Sequence, residues 1–358
     1  MNLLILTRYD RLGASSRLRI MQYLPYLKAA GITVRIDPFF ESAYLERLYA
    51  KQSTTTAAFR AYRHRLWQML HRHRPDAIWL EKELFPWLPW AIERLFLPHG
   101  VPVISDYDDA IFHNYDLHRM TLVQKIFGQK IDHLMGTSAV VLAGNAYLAD
   151  RALKSGAAEV RIVPTVVDTE VYDAAAHAPQ DRKLRIGWIG TPSTWTQYGA
   201  PMMPMLGSLA AEMDAKIVAV GAGSAAHPEA VLEIWPWSED REVVDVRALD
   251  IGIMPLDDTP WSRGKCGYKL IQYMACGLPV VASPVGVNTD IVEHGVNGFL
   301  ASNETEWRQA LSTLLQDSDL RRRMGAAGRR KVETQYSLQV WGPRVARMLA
   351  DVAEGPRG

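Results

Sequence analysis

The chain has 358 residues, with 40 basic and 39 acidic side chains and a formal net charge of +1. Hydrophobic residues make up 48% of the sequence and charged residues 22%, values that exclude a disordered or fibrous protein. The balanced charge argues against a general nucleic-acid binder, and two cysteines, Cys266 and Cys276, predict neither a disulfide framework nor a zinc site. The length predicts two domains.

The start of the chain, MNLLILTRYDRLG, contains an apolar run that is too short for a secretory signal. Two long uncharged stretches, 186–211 and 270–289, are interrupted by glycine and proline, so neither predicts a membrane helix. We therefore expect a soluble cytoplasmic protein.

Short apolar runs alternate with helical segments through the first half of the chain. The predicted strands are 3–6, 32–36, 77–80, 101–104, 140–143 and 160–163. A strand, a helix and a second strand fit into the first 36 residues, as a doubly wound α/β fold requires. Pro25 lies inside the first helical segment and is expected to kink it.

A second alternating series follows a polar stretch, 176–183, which we interpret as a linker. Its predicted strands are 184–189, 216–220, 231–234, 251–254 and 279–282, and its predicted helices are 268–276, 305–315 and a last one from about 337. The pattern predicts an N-terminal Rossmann-like domain over 1–178, a second over 183–335 and a terminal helical segment over 336–358. Ligands of such sheets bind beyond the carboxyl ends of the strands, here in an expected interdomain crevice.

The segment WSRGKCGYKLIQYMACG, residues 261–277, combines glycines and cations immediately before a predicted helix. Gly264 and Gly267 allow close backbone approach, and Arg263, Lys265 and Lys269 add positive charge. A helix N-terminus offers unpaired N–H groups and a partial positive charge, so this pattern is typical of a phosphate or diphosphate site. The alternative is an ordinary loop with solvated lysines.

The sequence from Lys269 to Leu300, KLIQYMACGLPVVASPVGVNTDIVEHGVNGFL, closely resembles the donor-binding segment of the family-four glycosyltransferases. RIVPTVVDTEVY (161–172) and RIGWIGTPST (185–194) extend the resemblance. It implies a GT-B fold of two Rossmann-like domains facing a central cleft, with the terminal helix crossing back to the first. It also implies retaining, metal-independent sugar transfer from a nucleotide-diphosphate sugar, with no separate cofactor.

Two carboxylates of the family motif are replaced in this chain. The first family Glu falls at Gly264, and the second, which binds the nucleotide ribose in the family, falls at Gln272. The loop 190–194 also lacks the cations that many relatives carry. The Trp237 ring is a candidate to stack on the base, although the favoured interpretation is a core side chain. The donor-binding candidates are Gly190, Thr191, Trp237, Arg263, Gly264, Gly267, Tyr268, Gln272, Gly286, Val287 and Asn288.

Three acids follow the strand predicted over 101–104, in the sequence SDYDDAIFH. Asp106, Asp108 and Asp109 are expected to face the cleft, where a carboxylate could orient an acceptor hydroxyl. Asp108 and Asp109 are the catalytic candidates on this side, and Lys265 and Lys269 are those that stabilise the leaving diphosphate. Helix capping is the alternative role for the acids. A cluster of acids could also suggest a metal, but the resemblance implies none.

Two further segments carry candidate contacts. The loop after the first strand contains small residues and a cation that suit a phosphate or a sugar hydroxyl: Gly13, Ala14, Ser15 and Arg17. A plain tight connection explains this loop equally well. His113 is a further candidate for a polar contact to the acceptor. The segment Arg60 to Arg74 holds five arginines and three histidines without an acid. It is either a basic helix whose apolar stripe, including Leu66 and Leu70, faces the core, or a peripheral membrane contact.

The sequence therefore predicts a glycosyltransferase that moves a sugar from a nucleotide sugar to a glycan, lipid-linked or small-molecule hydroxyl. It would work in the cytoplasm or at the inner face of the membrane, without a nucleic-acid partner. The alternatives are a nucleotide-sugar epimerase or hydrolase on the same fold, and a nucleotide-sugar-binding protein without catalysis.

Overall fold

The computed structural model describes residues 1–50, 52–71, 74–172, 182–223 and 230–354. The chain divides into two compact units. The first contains Met1–Thr165, the three residues Gly264–Cys266 and the chain from Trp341 onward; the second contains Val166–Arg263 and Gly267–Val340. Most of the linker predicted over 176–183 lies outside the described residues.

The first unit contains a six-stranded parallel sheet in the order β2-β1-β3-β4-β5-β6. Its strands are β1 Asn2–Tyr9, β2 Thr33–Phe40, β3 Ala77–Glu81, β4 Val103–Tyr107, β5 Val140–Ala143 and β6 Val160–Ile162. All residues of β3, β4 and β5 are buried, as expected for parallel strands that helices cover on both faces. The strands predicted for this half of the chain are present, with ends shifted by a few residues.

The helices of the first unit connect these strands and carry the first core. They are α1 Ala14–Arg19, α2 Leu24–Ala29, α3 Ser42–Tyr49, α4 Thr55–Leu70, α5 Trp90–Glu93, α6 His113–Asp116, α7 Thr121–Phe127, α8 Lys130–Thr137 and α9 Ala146–Lys154. The expected kink at Pro25 is wrong. The break lies at Ile20, a 3₁₀ turn follows, and Pro25 sits in the first turn of α2, where its missing N–H costs nothing.

The second unit contains another six-stranded parallel sheet, in the order β12-β11-β10-β7-β8-β9. Its strands are β7 Arg185–Ile189, β8 Lys216–Val220, β9 Leu232–Trp235, β10 Ile251–Met254, β11 Val280–Ala282 and β12 Gly298–Leu300. Alternate residues of β8 pack into two different cores. Ile217 and Ala219 belong to one core, and Val218 and Val220 belong to the other. The sequence analysis missed β12, which begins with a glycine and contains no β-branched residue, so its sequence carries little strand signal.

The remaining helices are α10 Pro192–Thr194, α11 Met203–Glu212, α12 Glu239–Arg247, α13 Pro260–Arg263, α14 Tyr268–Ala275, α15 Asn288–Ile291, α16 Glu304–Gln316, α17 Ser318–Gln335 and α18 Leu338–Glu354. The part of α18 from Trp341 groups with the first unit. There Gly342 lies so close to the Tyr26 ring that a Cβ would come within 2.6 Å of it. Two parallel sheets with helices confirm the predicted α/β class.

Helix α4 corrects the prediction for the basic segment. Arg65 and Gln68 are buried, and the Arg65 guanidinium donates to the carbonyl of Asp37 at 2.9 Å. Leu66 and Leu70, assigned to the core-facing stripe, are 37% and 63% exposed. Arginine can turn inward here because backbone carbonyls satisfy its donors, which leaves apolar side chains on the outer face.

None of the helices in the described residues has both the length and the apolar character that a membrane-spanning segment needs.

Candidate functional site

Three neighbouring strands of the first sheet, β1, β3 and β4, bring polar loops together at their carboxyl ends. Ser15 follows β1, Lys82 follows β3, and Asp108 and Asp109 follow β4. Because adjacent parallel strands end at the same edge, these loops meet there. The sequence analysis selected Ser15 and the two aspartates; Lys82 joins them in the structure.

Lys82, Ser15 and Asp108 form a closed triangle of polar contacts. The Lys82 Nζ donates to Ser15 Oγ at 3.0 Å, and Ser15 Oγ donates to Asp108 Oδ2 at 2.6 Å. The third side is an ion pair, with Lys82 Nζ 3.0 Å from Asp108 Oδ1. The Asp108 side chain is only 13% exposed, so its oxygens are largely committed to these neighbours.

Asp109 lies beside the segment 264–266 of the same unit. The Lys265 Nζ is 3.7 Å from Asp109 Oδ1, and the Asp109 side chain is 30% exposed. This segment is tightly held, because Asn145 Nδ2 donates to the carbonyl of Lys265 at 2.9 Å and the Cys266 thiol donates to the carbonyl of Asp108 at 3.0 Å. Gly264 packs on Ala110 with no room for a Cβ, which would come within 2.4 Å of the alanine Cβ. A glutamate at 264, as in the family motif, does not fit this packing.

The two adjacent aspartates have opposite pKa shifts. Burial raises the pKa of both carboxyls, but for Asp108 the Lys82 ammonium, Arg19 and the Ser15 hydroxyl outweigh burial and lower the pKa below its ordinary value. Burial and the neighbouring Asp108 charge raise the pKa of Asp109, although Lys265 opposes them. Environments that separate two neighbouring carboxyls in this way are typical of sites that need one permanently ionised group and one that can accept a proton.

Asp106 corrects the expectation that all three acids face a ligand. It is 1% exposed, accepts from Arg19 Nε at 2.9 Å and from Trp79 Nε1 at 3.3 Å, and has its pKa raised by burial. Arg19 in turn donates to the carbonyl of Val163 at 2.6 Å. Position along the chain explains the difference, because Asp106 lies within β4, whose residues are all buried, whereas Asp108 and Asp109 lie beyond the strand end.

The other candidates on this side have structural contacts. His113 pairs through Nδ1 with Asp116 and through Nε2 with the Tyr147 hydroxyl, both at 2.8 Å, so both ring nitrogens are occupied. Gly13 packs on Tyr9, where a Cβ would come within 2.3 Å. Arg17 is buried, with a guanidinium nitrogen 3.3 Å from the carbonyl of Arg11. Ala14 is exposed at the start of α1.

A second layer of charges supports the loop after β3. Lys130 has 0% side-chain exposure, and its Nζ lies 2.6 Å from Glu83 Oε2 and 2.8 Å from Glu93 Oε2. Burial raises the pKa of Glu93 to about 7, although Lys130 opposes the shift. The sequence analysis missed this network. The signal was three consecutive charged residues, Glu81, Lys82 and Glu83, at the end of an apolar strand.

In the second unit, the loop after β7 meets the start of α14. Thr191 caps α10 through a capping box, and the Lys269 Nζ lies so close to Gly190 that a Cβ there would come within 2.8 Å of it. The same ammonium is 4.2 Å from the centre of the Trp188 ring. Gly221, after β8, packs on the carbonyl of Gly190 and lies near Trp237. Small residues, a lysine and an aromatic ring thus share the carboxyl edge of the second sheet.

The cations predicted to act together have three different neighbours. Lys269 lies over Trp188, Lys265 groups with the first unit beside Asp109, and Arg263 forms an exposed ion pair with Asp258, with Nε 2.6 Å from Oδ1. Of the three predicted cations, Lys269 is thus the one that lies beside Gly190 at the carboxyl edge of the second sheet.

The glycines around α14 meet the geometry that their positions require. Gly267 precedes α14 with φ of 66°, and Gly286, with φ of 55°, packs on the backbone of Arg263. Asn288 is buried and donates to the carbonyl of Ser283 at 3.0 Å, so it stabilises the turn. Tyr268 and Val287 are half-buried and pack against the core that α14 helps to form.

Gln272, which stands where the family motif has its second Glu, lies in a buried hydrogen-bond cluster. It is 2% exposed, and its Nε2 donates to the Tyr172 hydroxyl at 2.8 Å and to Glu242 Oε1 at 2.9 Å. Glu242 also accepts from Trp237 Nε1 at 2.7 Å. The amide supplies donors beside this carboxylate, where a second carboxylate would be repelled.

Comparisons with known proteins support the resemblance. The family model described as glycosyl transferases group 1 matches residues 202–317. Spore coat protein SA of Bacillus subtilis is 34% identical over 89 residues, 24% of this chain and 22% of that protein. The GDP-mannose-dependent monoacylated alpha-(1-6)-phosphatidylinositol monomannoside mannosyltransferase of Corynebacterium glutamicum is 31% identical over 84 residues, 23% of this chain and 22% of that protein. The matched stretches thus span less than a quarter of either relative.

The fold itself matches over almost the whole chain. The crystal structure of Anabaena HepE in complex with UDP-glucose superposes with a TM-score of 0.70 at 16% identity and covers 98% of this chain and 99% of that one. At that identity the likeness concerns the fold. These comparisons show that the chain has the GT-B fold and that its residues 202–317, which include the motif block from Lys269 to Leu300, match the group 1 glycosyltransferases.

Proposed function

We propose that this protein transfers a sugar from a nucleotide-diphosphate donor to an acceptor hydroxyl, with retention of configuration and without a metal. The observation that carries the proposal is the carboxyl edge of the second sheet. There Lys269, in the first turn of α14, brings its ammonium against Gly190, which has no side chain to keep it away, and Gly221 packs on the Gly190 carbonyl. A lysine and a helix N-terminus can stabilise the charge that grows on a departing diphosphate.

The acceptor binds, in this proposal, at the carboxyl edge of the first sheet. Asp109 is the carboxylate there with the more exposed side chain, 30% against 13% for Asp108. Its raised pKa suits a group that accepts a hydrogen bond or proton from a hydroxyl. Lys265 would balance its charge at 3.7 Å and respond to charge changes at the reacting centre.

Ligand-induced thermal stabilisation tests donor binding. We expect nucleoside diphosphates and their sugars to raise the melting temperature, whereas the free nucleosides give little shift, because most of the binding energy comes from the diphosphate. Lys269→Met should weaken diphosphate binding by about tenfold or more, the loss expected for one charge-assisted contact. Lys154→Met, which alters an exposed lysine on α9, is the matched control.

Assays of nucleotide release from the same donors, read together with the melting temperatures, separate the alternative functions. Release of nucleotide only when an acceptor is present supports a transferase. Donor consumption without an acceptor indicates an epimerase or hydrolase, and stabilisation without any released nucleotide indicates a binding protein. Equal binding by the wild type and Lys269→Met would remove Lys269 from the donor site.

We further propose that α4 contacts the inner face of an anionic membrane, where a lipid-linked acceptor would be found. Phe59, Arg63, Leu66, Trp67 and Leu70 share one helical face. Phe59 is 70% exposed, Trp67 57% and Leu70 63%, and no acid occurs from Thr55 to Arg74. Exposed apolar side chains among cations are typical of helices that lie in a membrane interface.

Sedimentation with lipid vesicles tests this contact. We expect more protein to bind vesicles containing phosphatidylglycerol than neutral ones, and salt to weaken the binding because its screening acts on the arginines. The double variant Trp67→Ser/Leu70→Ser should lose most of the bound fraction. Leu153→Ser, which changes a leucine on α9 that is 60% exposed, should not. Equal sedimentation of both variants would contradict the proposal.

A further inference from the structure

The turn after β3 holds a lysine in a backbone conformation that suits glycine. Lys82 has φ of 66°, and its backbone N–H donates to the carbonyl of Asp106 at 3.0 Å. The left-handed region costs an L-residue free energy that glycine avoids, and such strain clusters at functional sites. Since glycine would form the same turn more easily, the presence of lysine here is explained by a role of its side chain.

That side chain ends between Glu81, the last residue of β3, and Asp108, just beyond the end of β4. The ammonium is 3.0 Å from Asp108 Oδ1 and 3.9 Å from Glu81 Oε1, and the side chain is 9% exposed. Glu81 also accepts from the Ser16 hydroxyl at 2.5 Å and the backbone N–H of Arg8 at 2.8 Å, and burial raises its pKa. Lys82 is therefore the ammonium in direct contact with Asp108.

We infer that Lys82 is the positioning residue of the acceptor site: through Ser15 and a direct ion pair it keeps Asp108 ionised and fixed, so that Asp109 is the aspartate that exchanges protons with the acceptor. This inference rests on the proposed function. It assigns different tasks to two adjacent aspartates that the sequence alone does not distinguish.

The surroundings of the two carboxyls account for this division. Asp108 faces Lys82 in the turn after β3 and Ser15 in the first turn of α1, with Arg19 of α1 farther away. Asp109 faces Lys265, and the charges of Asp108 and Lys82 act on it with opposite signs. Without the Lys82 ammonium, Asp108 loses its main neutralising partner, so its pKa rises. The first proton that binds at acidic pH is then shared between the two aspartates instead of going to Asp109.

Carbon-13 NMR of the aspartate carboxyls in the full-length protein tests this directly. The two resonances are assigned with Asp108→Asn and Asp109→Asn. In the wild type, Asp108 should titrate at lower pH than Asp109. In Lys82→Met, the Asp108 midpoint should rise by about one pH unit or more, and in Lys82→Arg it should stay within about half a unit, because the charge is retained.

The pH profile of sugar transfer supplies the second readout. Lys82→Met should move the acid limb to higher pH, so that its loss of rate is about tenfold greater at pH 5.5 than at pH 8. A merely structural role would lower the rate equally at all pH values. Lys82→Gly removes the charge and relieves the backbone strain. Because Lys82→Gly also leaves Asp108 and Glu81 without their ammonium, it should lower the melting temperature, but by less than Lys82→Met does, and it should still shift the Asp108 midpoint. It therefore keeps the test valid in the case in which Lys82→Met folds poorly.

The outcomes distinguish the two proposals. An unchanged Asp108 midpoint in both Lys82→Met and Lys82→Gly overturns the role of Lys82, whatever the activity. A shifted midpoint with a rate loss that is equal at all pH values also overturns it. Absence of transfer by the wild type with every donor overturns the proposed function, whereas the NMR titration can still be measured.

Discussion

Replacing Asp109 with asparagine is expected to lower the rate of the proposed sugar transfer by about two to four orders of magnitude, the range that a positioned acid–base group contributes. The substitution keeps the size of the side chain and removes its charge. Because burial and Asp108 already raise the pKa of Asp109, the neutral amide should not destabilise the fold. Steady-state kinetics and the melting temperature, measured on the same preparation, check both parts.

The control for this substitution is Asp150→Asn. Asp150 lies on α9 in the same unit, forms an exposed pair with Lys154 and is 59% exposed, so its charge is well screened. Asp150→Asn should retain the wild-type rate. If Asp109→Asn also retains it, the acceptor hydroxyl does not depend on Asp109. If both rate and melting temperature collapse, Asp109 has a structural role.

The sequence was sufficient to predict the α/β class and most of the strands along the chain, but not their order within each sheet. Apolar runs such as Ala77–Glu81 and Lys216–Val220 are readily recognised, whereas β12 begins with a glycine and contains no β-branched residue. The buried face of α4 was harder to predict, because helical periodicity cannot show that the Arg65 side chain, rather than that of Leu66, packs inward. That choice depends on the carbonyl groups of Leu84, in the loop after β3, and Asp37, on β2.

The candidate site was predictable only in part, and for a similar reason. Acids beyond a strand end point to a site, but sequence spacing does not distinguish the buried Asp106 from Asp108 or Asp109. Lys82 and Lys130 become relevant through contacts between β3, β4 and α8. Likewise, the motif predicts that Gln272 lies near the donor, but it does not predict the hydrogen bonds that Gln272 makes. Its partners, Tyr172 and Glu242, are 100 and 30 residues away in the chain. Such long-range pairs leave no local pattern.

Replacing Lys130 with methionine should destabilise the first unit by about 3–5 kcal/mol, the cost of leaving buried carboxylates without their cation. Lys130 contacts both Glu83 and Glu93 and also donates to the carbonyl of Phe85 at 2.5 Å. Glu83 is bound by the Tyr115 hydroxyl at 2.8 Å as well, so the whole loop after β3 depends on this charge. Hydrogen exchange of the β3 and β4 amides measures the change in the free energy of unfolding. The control Lys154→Met, which breaks an exposed ion pair, should change that free energy by less than about 0.5 kcal/mol.

The effect of Lys130→Met should depend on pH through Glu93. Burial raises the pKa of Glu93 from 4.5 to about 7 in the folded protein, so folding favours its protonated form. Its contribution to stability is therefore complete below about pH 4.5 and is lost as the pH rises towards 7. Without Lys130 the ionised form is disfavoured further. The variant should thus lose more stability at pH 8 than at pH 5, and adding Glu93→Gln should recover part of the loss at pH 8. A loss that is equal at both pH values, with no recovery, would mean that Lys130 acts through packing rather than charge.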